Sequence, residues 1–281
     1  MSVFVFPGQG AQHKGMGIEL FDEFPDWVNQ ADDILGYSLR TLCRDNPDEK
    51  LHQTQYTQPA LYVVNALSFL KRIRADHCTP RYLVGHSLGE YNALLAAEVF
   101  DFATGLRLVQ QRGALMGEIK GGSMASIVKL RVNDISSALM EGGFSDLVLA
   151  NYNSYTQTVM SGSHESIRAA TLLLEKVGGL VIPINVSGAF HSPAMAQAQE
   201  KFLAFTDEFA FHKPKIPVIA NVDARPYRVD QLKLNLVAQL SGAVRWCESI
   251  EYLLDQGEDV FEEIGPGNIL SKLIQRIRIN Q

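Results

Sequence analysis

The sequence has few cysteines, no long apolar run and no excess of positive charge. Its three cysteines are widely spaced without a metal-ligand pattern, so we expect reduced thiols in a cytoplasmic protein; they are Cys43, Cys78 and Cys247. No apolar run approaches the roughly 18 residues of a membrane span, and the first residues lack the basic region of a signal peptide. A net charge of −6 disfavours nucleic acid. We therefore expect neither nucleic acid nor a membrane as a partner.

The order of apolar and polar residues predicts an α/β fold. The 281 residues suffice for one large domain or for a domain with an insert. Short β-rich runs alternate with longer helical patterns, which is typical of the α/β class. The stretch 57–76, for example, predicts a helix with Thr57 as its N-cap and Pro59 in its first turn.

The middle of the chain follows a different pattern. After Gly122 the sequence predicts a strand, a helix, two strands, a helix and a strand, which is the order of the ferredoxin-like unit. We therefore expect an inserted subdomain over residues 123–187. The core would then be formed by residues 1–122 and 188–281.

A serine flanked by glycines stands where a short apolar run meets a helical pattern. The segment Gly85-His86-Ser87-Leu88-Gly89 matches the G-x-S-x-G motif of a nucleophile elbow. In such an elbow the glycines allow a tight turn, and the helix N-terminus faces the exposed hydroxyl. An ordinary glycine-rich turn between a strand and a helix is the alternative.

A serine hydroxyl needs a base to become a nucleophile, and His191 is the best-placed candidate of the seven histidines. It follows a predicted strand and precedes a helix with Ser192 as N-cap and Pro193 after it. Ligands of open α/β sheets bind at that edge. His86 adjoins Ser87, and neighbouring side chains on extended backbone point apart. A packed or capping role for His191 is the alternative.

Two further features bear on chemistry at the same edge. The turn after the first strand contains Gln9, whose backbone N–H is a candidate oxyanion donor together with the N–H of Leu88; a plain turn is the alternative. Arg112 lies on the apolar side of a predicted helix, where an unpaired charge is costly. It therefore pairs with a protein acid, binds an acidic substrate, or extends to the surface.

Eight short motifs in register along nearly the whole chain resemble those of the malonyl-CoA:acyl-carrier-protein transacylase family, which includes the acyltransferases that serve polyketide synthases. The motifs are FPGQGAQ, TQPAL, GHSLGEYNAL, QQRGALM, NYNS, GAFHSPAM, VRW and EIGPGNIL. The resemblance implies an α/β-hydrolase-like core with a parallel sheet and an inserted ferredoxin-like subdomain.

The resemblance also implies a role for individual residues. Ser87 would be the nucleophile and His191 the general base, held by a backbone carbonyl at Gln239 or its neighbours in place of a carboxylate. The N–H groups of Gln9 and Leu88 would form the oxyanion hole. Arg112 would bind the free carboxylate of a malonyl group, and Asn153 would line the pocket. Leu88 and Phe190 follow the pattern of malonyl-using members, and Phe190 would fill the space that an α-methyl group needs.

The activity implied is ping-pong transfer of malonyl from malonyl-CoA, through a malonyl-serine ester, to the phosphopantetheine thiol of an acyl carrier protein. No cofactor would be bound. Carrier proteins are commonly acidic, so a basic patch of Lys272, Arg276 and Arg278, with His13 and Lys14, would dock them; a solvated helix face is the alternative.

Several questions stay open from the sequence. The product would feed polyketide or fatty-acid synthesis, and we expect a monomer that is a freestanding enzyme or an excised domain. A serine hydrolase or editing thioesterase is the rival enzyme. A catalytically idle carrier-protein binding module is the rival of another class.

Overall fold

The computed structural model describes residues 2–76 and 79–279; Cys78 and His77 lie outside them. The described strands are β1 (Val3–Phe6), β2 (Tyr82–Gly85), β3 (Gly122–Val128), β4 (Val148–Ser154), β5 (Gln157–Ser163), β6 (Leu180–Ile184), β7 (Val218–Ile219) and β8 (Phe261–Glu263). They form two sheets of different kinds. One is parallel with the order β7-β2-β1-β8, and the other has the order β4-β5-β3-β6.

Helices surround both sheets. They are α1 (Ile18–Glu23), α2 (Pro25–Leu35), α3 (Leu39–Asp45), α4 (Thr54–Asp76), α5 (Gly89–Ala96), α6 (Phe102–Glu118), α7 (Val132–Glu141), α8 (His164–Lys176), α9 (Ala196–Thr206), α10 (Leu232–Ala238), α11 (Trp246–Asp255) and α12 (Ile269–Ile279), with 3-10 turns at Pro47–His52 and Pro193–Met195. Among the described residues, no helix combines the length and the apolar character that crossing a membrane requires.

The second sheet has the predicted ferredoxin-like order. Its strands pair antiparallel throughout, and Met124 of β3 faces Ser161 of β5 on one side and Ile184 of β6 on the other. With α7 and α8 they give the sequence βαββαβ. The predicted fold class is therefore confirmed. Strand β3 begins at Gly122, one residue before the predicted start of the insert, and the division of the chain into domains stays a prediction.

The parallel sheet is covered on both faces, which explains the continuous apolar run of β1. Phe4 and Phe6 belong to a large cluster with α4, α5 and α6, whereas Val3 and Val5 pack with residues of α11 and α12. None of these four side chains is exposed. Buried parallel strands of this kind are hydrophobic without alternation. Strands β1 and β2 run in register, so their carboxyl ends meet at one edge of the sheet.

Helix α4 begins earlier than the sequence pattern predicted. It starts at Thr54, so the prediction of Thr57 as N-cap was wrong. Thr57 is buried and its hydroxyl donates backwards to the carbonyls of Leu51 (2.7 Å) and Gln53 (3.0 Å). Pro59 stands inside the helix rather than in its first turn. A threonine hydroxyl satisfies local carbonyls as well as N–H groups, and this ambiguity misplaced the boundary.

Glycines allow the ends of β1 and β2 to touch. A Cβ on Gly89, the first residue of α5, would lie 2.0 Å from the carbonyl oxygen of Phe6 at the end of β1. A Cβ on Gly8 would lie 2.3 Å from the carbonyl oxygen of His86. Both obstacles are backbone atoms, so the chain has no flexible group that gives way.

We expect Gly89→Ala to destabilise the protein by about 1–3 kcal/mol or more, because overpacking against backbone forces a shift of β1 or α5. Urea unfolding followed by circular dichroism measures this. Gly117→Ala is the matched control, because its nearest obstacle is the flexible end of Gln55 at 3.0 Å; it is expected to stay within about 1 kcal/mol of the parent. Equal stability of the two variants would contradict the explanation.

Candidate active site

A cavity of about 380 Å³ opens where β1 and β2 end, with the antiparallel sheet on its far side. The core contributes its strand ends and α6, and the antiparallel sheet contributes residues of β3, β4, β5 and β6. Residues singled out from the sequence line it together, namely Gln9, Ser87, Arg112, Asn153, Phe190 and His191. Parts of the chain that are far apart in sequence therefore share one concave site.

Ser87 occupies the turn between β2 and α5. Its backbone φ is 51°, in the left-handed region that non-glycine residues rarely adopt. The side chain of Asn221 holds this conformation, because its oxygen accepts the N–H of Ser87 (2.7 Å) and its nitrogen donates to the carbonyl of Gly85 (2.7 Å). Such strain persists where the surroundings over-determine it. The hydroxyl is thereby directed into the cavity.

His191 lies beside that hydroxyl. Its Nε2 is 2.8 Å from Ser87 Oγ, and its Nδ1 is 2.8 Å from the carbonyl oxygen of Gln239 and 3.1 Å from that of Gly242. Carbonyl oxygens only accept, so Nδ1 carries the proton and Nε2 accepts from the serine. Among the described residues, no carboxylate contacts this ring. The orienting group is the backbone.

Burial keeps the imidazole neutral. Burial, with a smaller contribution from the positive charge of Arg112, lowers the pKa of His191 to about 3, although the carbonyls of Gln239 and Gly242 act in the opposite direction. The neutral form can accept a proton from serine across the whole physiological pH range.

Arg112 is fully buried on α6, with 1% of its surface exposed. Its Nη1 donates to Gln58 Oε1 (2.7 Å), and its Nη2 donates to Gln239 Oε1 (2.8 Å) and to Ser87 Oγ (3.1 Å). Its Nε finds no acceptor in the described part of the chain. Among the described residues, neutral oxygens rather than a carboxylate therefore form hydrogen bonds with the guanidinium. The alternative that Arg112 extends to the surface is wrong. Burial lowers the pKa of Arg112 from its very high ordinary value.

Gln9 and Leu88 lie on two turns that come close together at the elbow. Gly8 approaches the elbow so closely that a Cβ on it would be 3.6 Å from the backbone nitrogen of Leu88. Within residues 2–76 and 79–279, neither the N–H of Gln9 nor that of Leu88 donates to a protein acceptor. Two such donors beside a serine hydroxyl can stabilise an oxyanion.

The remaining predicted residues shape the cavity wall. Phe190 precedes the histidine and is 5% exposed, and the side chain of Leu88 is buried. Asn153 Oδ1 is 2.9 Å from Nε2 of His86, whose ring stacks at an angle on Trp246 with 5.5 Å between ring centres. Burial lowers the pKa of His86. His86 therefore contacts Asn153 rather than the serine, and it still lines the cavity.

Sequence reasoning missed three residues around the elbow and the guanidinium, namely Gln58, Glu90 and Asn221, and it named only the backbone of Gln239. Gln58 bonds to Arg112, and Asn221 bonds to Ser87. The side chain of Gln239 bonds to both Arg112 and the carbonyl of Ser87. Glu90 is a fully buried carboxylate directly after the elbow. A polar residue in an apolar helical stretch was the only signal for Gln58 and Glu90. Asn221 and the Gln239 side chain gave none, because their contacts arise only in the folded chain.

The serine on its strand-to-helix turn and the neutral imidazole beside it define a class of protein, the serine-nucleophile enzymes that form an acyl-serine on an α/β core. In the described part of the chain, no three His, Cys, Asp or Glu side chains come together as metal ligands would. Cys43 and Cys247 are free and buried.

Comparison with known proteins identifies the family. The acyl transferase domain family matches residues 3–278, so the chain belongs to it. The chain is 51% identical over 280 residues to the polyketide biosynthesis malonyl CoA-acyl carrier protein transacylase PksC of Bacillus subtilis, covering 99% of this chain and 97% of that protein.

Solved structures that resemble this chain support the same family. The malonyl CoA-acyl carrier protein transacylase of Burkholderia pseudomallei is 47% identical with a TM-score of 0.97, covering 100% of this chain and 99% of that one. A malonyl-transacylase in complex with its type II PKS acyl-carrier protein, PlMCAT:AntF, is 36% identical with a TM-score of 0.93, covering 98% and 92%. The family resemblance stated from the motifs is confirmed.

The lowered pKa of His191 predicts an unusual pH profile. Because the imidazole is neutral above about pH 3, acylation of Ser87 by the uncharged ester p-nitrophenyl acetate is expected to stay nearly constant from about pH 8 to about pH 5. Burst release of p-nitrophenol measures it, with Ser87→Ala as the unreactive control. A fall centred near the ordinary histidine value of about 6.5 would contradict the assignment.

Proposed function

We propose that the chain transfers a malonyl group from malonyl-CoA to the phosphopantetheine thiol of an acyl carrier protein. The observation that supports this best is the buried guanidinium of Arg112 beside Ser87 Oγ, which forms hydrogen bonds to neutral oxygens and no ion pair among the described residues. A charge so placed suits a substrate with a free carboxylate next to the reacting carbonyl. The names of PksC and of the Burkholderia pseudomallei enzyme support the same substrate and partner.

In the loading half-reaction, Ser87 Oγ attacks the thioester carbonyl and its proton passes to His191 Nε2. The carbonyl oxygen becomes an oxyanion and accepts hydrogen bonds from the N–H groups of Gln9 and Leu88. The carbon–sulfur bond then breaks. His191 returns the proton to the leaving sulfur, coenzyme A departs, and malonyl remains as an ester on Ser87.

The transfer half-reaction reverses these roles. The phosphopantetheine thiol gives its proton to His191 Nε2, and its sulfur attacks the ester carbonyl. The same two N–H groups stabilise the second oxyanion. The Ser87 oxygen leaves and takes the proton back from His191, which restores the free enzyme. Phosphopantetheine enters on the partner and is not held by this chain.

Arg112 and Phe190 set the choice of acyl group. Acetyl offers no carboxylate, so the guanidinium would keep unsatisfied N–H groups in a buried site, which gives strong discrimination. Phe190 beside the base occupies the space of an α-methyl group, and rejection of one methyl amounts to about 1–3 kcal/mol. His86 and Asn153 complete the polar wall.

The carrier protein is proposed to dock on α12. Lys272, Arg276 and Arg278 are exposed on this helix, and its first turn supplies Ile269 and Leu270 to the cavity. A basic face that adjoins the cavity is complementary to an acidic carrier protein. His13 and Lys14 extend it near the turn that bears Gln9.

The wider setting follows from the same comparisons. The 51% sequence identity to PksC favours an enzyme that supplies malonyl extender units to polyketide synthesis, with fatty-acid synthesis as the other destination. We further propose a cytoplasmic monomer, with core segments 1–122 and 188–281 and an inserted subdomain over residues 123–187.

Incubation with malonyl-CoA is expected to add one malonyl group to Ser87, and acetyl-CoA is expected to load at least about tenfold more slowly, since one unsatisfied buried charge has at least that effect. Intact-mass spectrometry and peptide mapping measure both. Arg112→Ala should remove the preference for malonyl while some acetyl loading persists.

Ser87→Ala is the control and should acquire no adduct. Steady release of malonate without an adduct would favour the hydrolase, and the absence of adduct and turnover would favour the binding module. Neither outcome is compatible with the proposed transfer.

Charge reversal on α12 tests the docking face. Lys272→Glu combined with Arg276→Glu is expected to raise KM for the carrier protein by about tenfold or more while malonyl loading of Ser87 changes little, because rim charges act on encounter. Steady-state transfer kinetics at low salt measure this. Lys201→Glu, an exposed reversal on α9, is the control; an equal effect there would indicate net charge rather than a docking face.

A further inference from the structure

Glu90 is a buried carboxyl group that the proposed chemistry does not use. It lies on α5 with none of its surface exposed. Its Oε1 accepts the backbone N–H of Asn221 (2.8 Å) and the hydroxyl of Tyr227 (2.8 Å), and its Oε2 accepts from the side-chain amide of Gln239. All three partners present hydrogens to it, so the surroundings suit an acceptor-only carboxylate.

Burial disfavours the ionised form of Glu90, whereas its contacts favour that form. Burial raises the pKa of Glu90 more than the three hydrogen bonds and the positive charge of Arg112 lower it, and the net pKa is about 7. Three donors contact this buried carboxyl group, so replacing it by a group that itself donates hydrogen bonds is costly.

The amide of Gln239 connects Glu90 to Arg112. Its Nε2 donates to Glu90 Oε2 and to the carbonyl oxygen of Ser87 (2.8 Å), and its Oε1 accepts from Arg112 Nη2 (2.8 Å). A flipped amide would set its oxygen against two acceptors and its NH₂ against the guanidinium. The two acceptors therefore fix the amide with its oxygen towards Arg112.

This arrangement leaves the guanidinium able to bind another carboxylate. Within the described residues, no carboxylate forms an ion pair with Arg112. A glutamate in direct contact would engage the planar fork in two hydrogen bonds and compete with a ligand. One intervening amide keeps a compensating charge nearby without occupying the fork.

We propose that Glu90 is a positioning residue that holds the Gln239 amide as an acceptor for Arg112, and thereby keeps the guanidinium directed at the carboxylate of the acyl group. The inference rests on the proposed function, in which Arg112 binds that carboxylate. The base is held separately. His191 bonds to the backbone carbonyls of Gln239 and Gly242, and the Gln239 N–H bonds to the carbonyl of Asn235 (3.1 Å).

Glu90→Gln tests the proposal at constant size. The Asn221 N–H retains the oxygen of the new amide, so its NH₂ meets the NH₂ of Gln239, and Gln239 turns away from Arg112 or loses a partner. Malonylation of Ser87 is expected to fall in kcat/KM by about tenfold or more, the scale of one hydrogen bond to a charged group. Acetylation, which does not use Arg112, is expected to fall by less than about threefold. Quenched-flow loading with intact-mass detection measures both.

Glu258→Gln is the matched control. Glu258 is also a buried carboxylate, with 4% exposed, but its partner is Arg81 at 3.1 Å, away from the cavity. Both loading rates should stay at the parent values. Unchanged malonylation in Glu90→Gln, or an equal loss of malonylation and acetylation, would overturn the proposal.

If Glu90→Gln does not fold, Gln239→Met tests the same connection, because it removes the side-chain amide and keeps the backbone carbonyl that holds His191. This variant also loses the bond to the Ser87 carbonyl, so both rates are expected to fall, but malonylation should fall more than acetylation. An unchanged ratio of malonyl to acetyl loading would overturn the proposal. Failure of the proposed function is distinguishable, since the parent protein itself would then load the two thioesters alike or not at all.

Discussion

The hydrogen bond from His191 Nδ1 to the backbone carbonyl of Gln239 is the interaction on which the site depends. It selects the tautomer whose Nε2 accepts from Ser87, 2.8 Å away. A carboxylate in that position would stabilise the imidazolium and stand close to the guanidinium of Arg112. A carbonyl orients the ring without adding a negative charge. The site can therefore keep the guanidinium of Arg112 beside the serine, where the proposed function uses it for a substrate carboxylate.

The site also requires that the antiparallel sheet keep a fixed position relative to the parallel sheet. Strand β4 is joined to the segment before α11 by two backbone hydrogen bonds, from the N–H of Tyr152 to the carbonyl of Val244 and from the N–H of Val244 to the carbonyl of Ala150, each 2.9 Å. The next strand residue in the cavity wall is Asn153, which contacts His86 on the elbow. The antiparallel sheet is thus attached to the core directly at the cavity, and its side chains can define the shape of the acyl pocket.

Sequence patterns predicted what depends on local order, and missed what depends on long-range contacts. The elbow is visible because a strand, two glycines and a helix are contiguous, and the ferredoxin-like order is visible because strand and helix periods differ. The start of α4 was misplaced because a threonine satisfies either kind of backbone group. The acceptors of Arg112 are Gln58 on α4, Ser87 in the turn before α5 and Gln239 directly after α10, so no window of sequence contains them. The motif resemblance supplied roles for Gln239 and Asn153 that spacing alone does not provide.

The buried polar groups form one connected arrangement rather than separate pairs. Ser87 bonds to His191 and Arg112 through its hydroxyl, to Asn221 through its N–H and to Gln239 through its carbonyl. Networks of this kind are rigid only when every member is satisfied, because a single unmatched group in a low-dielectric interior is costly. Before substrate binds, neutral oxygens satisfy most of the guanidinium. In the proposed function, the carboxylate of the bound acyl group would satisfy the rest, so the arrangement would gain most from an acyl group that carries its own negative charge.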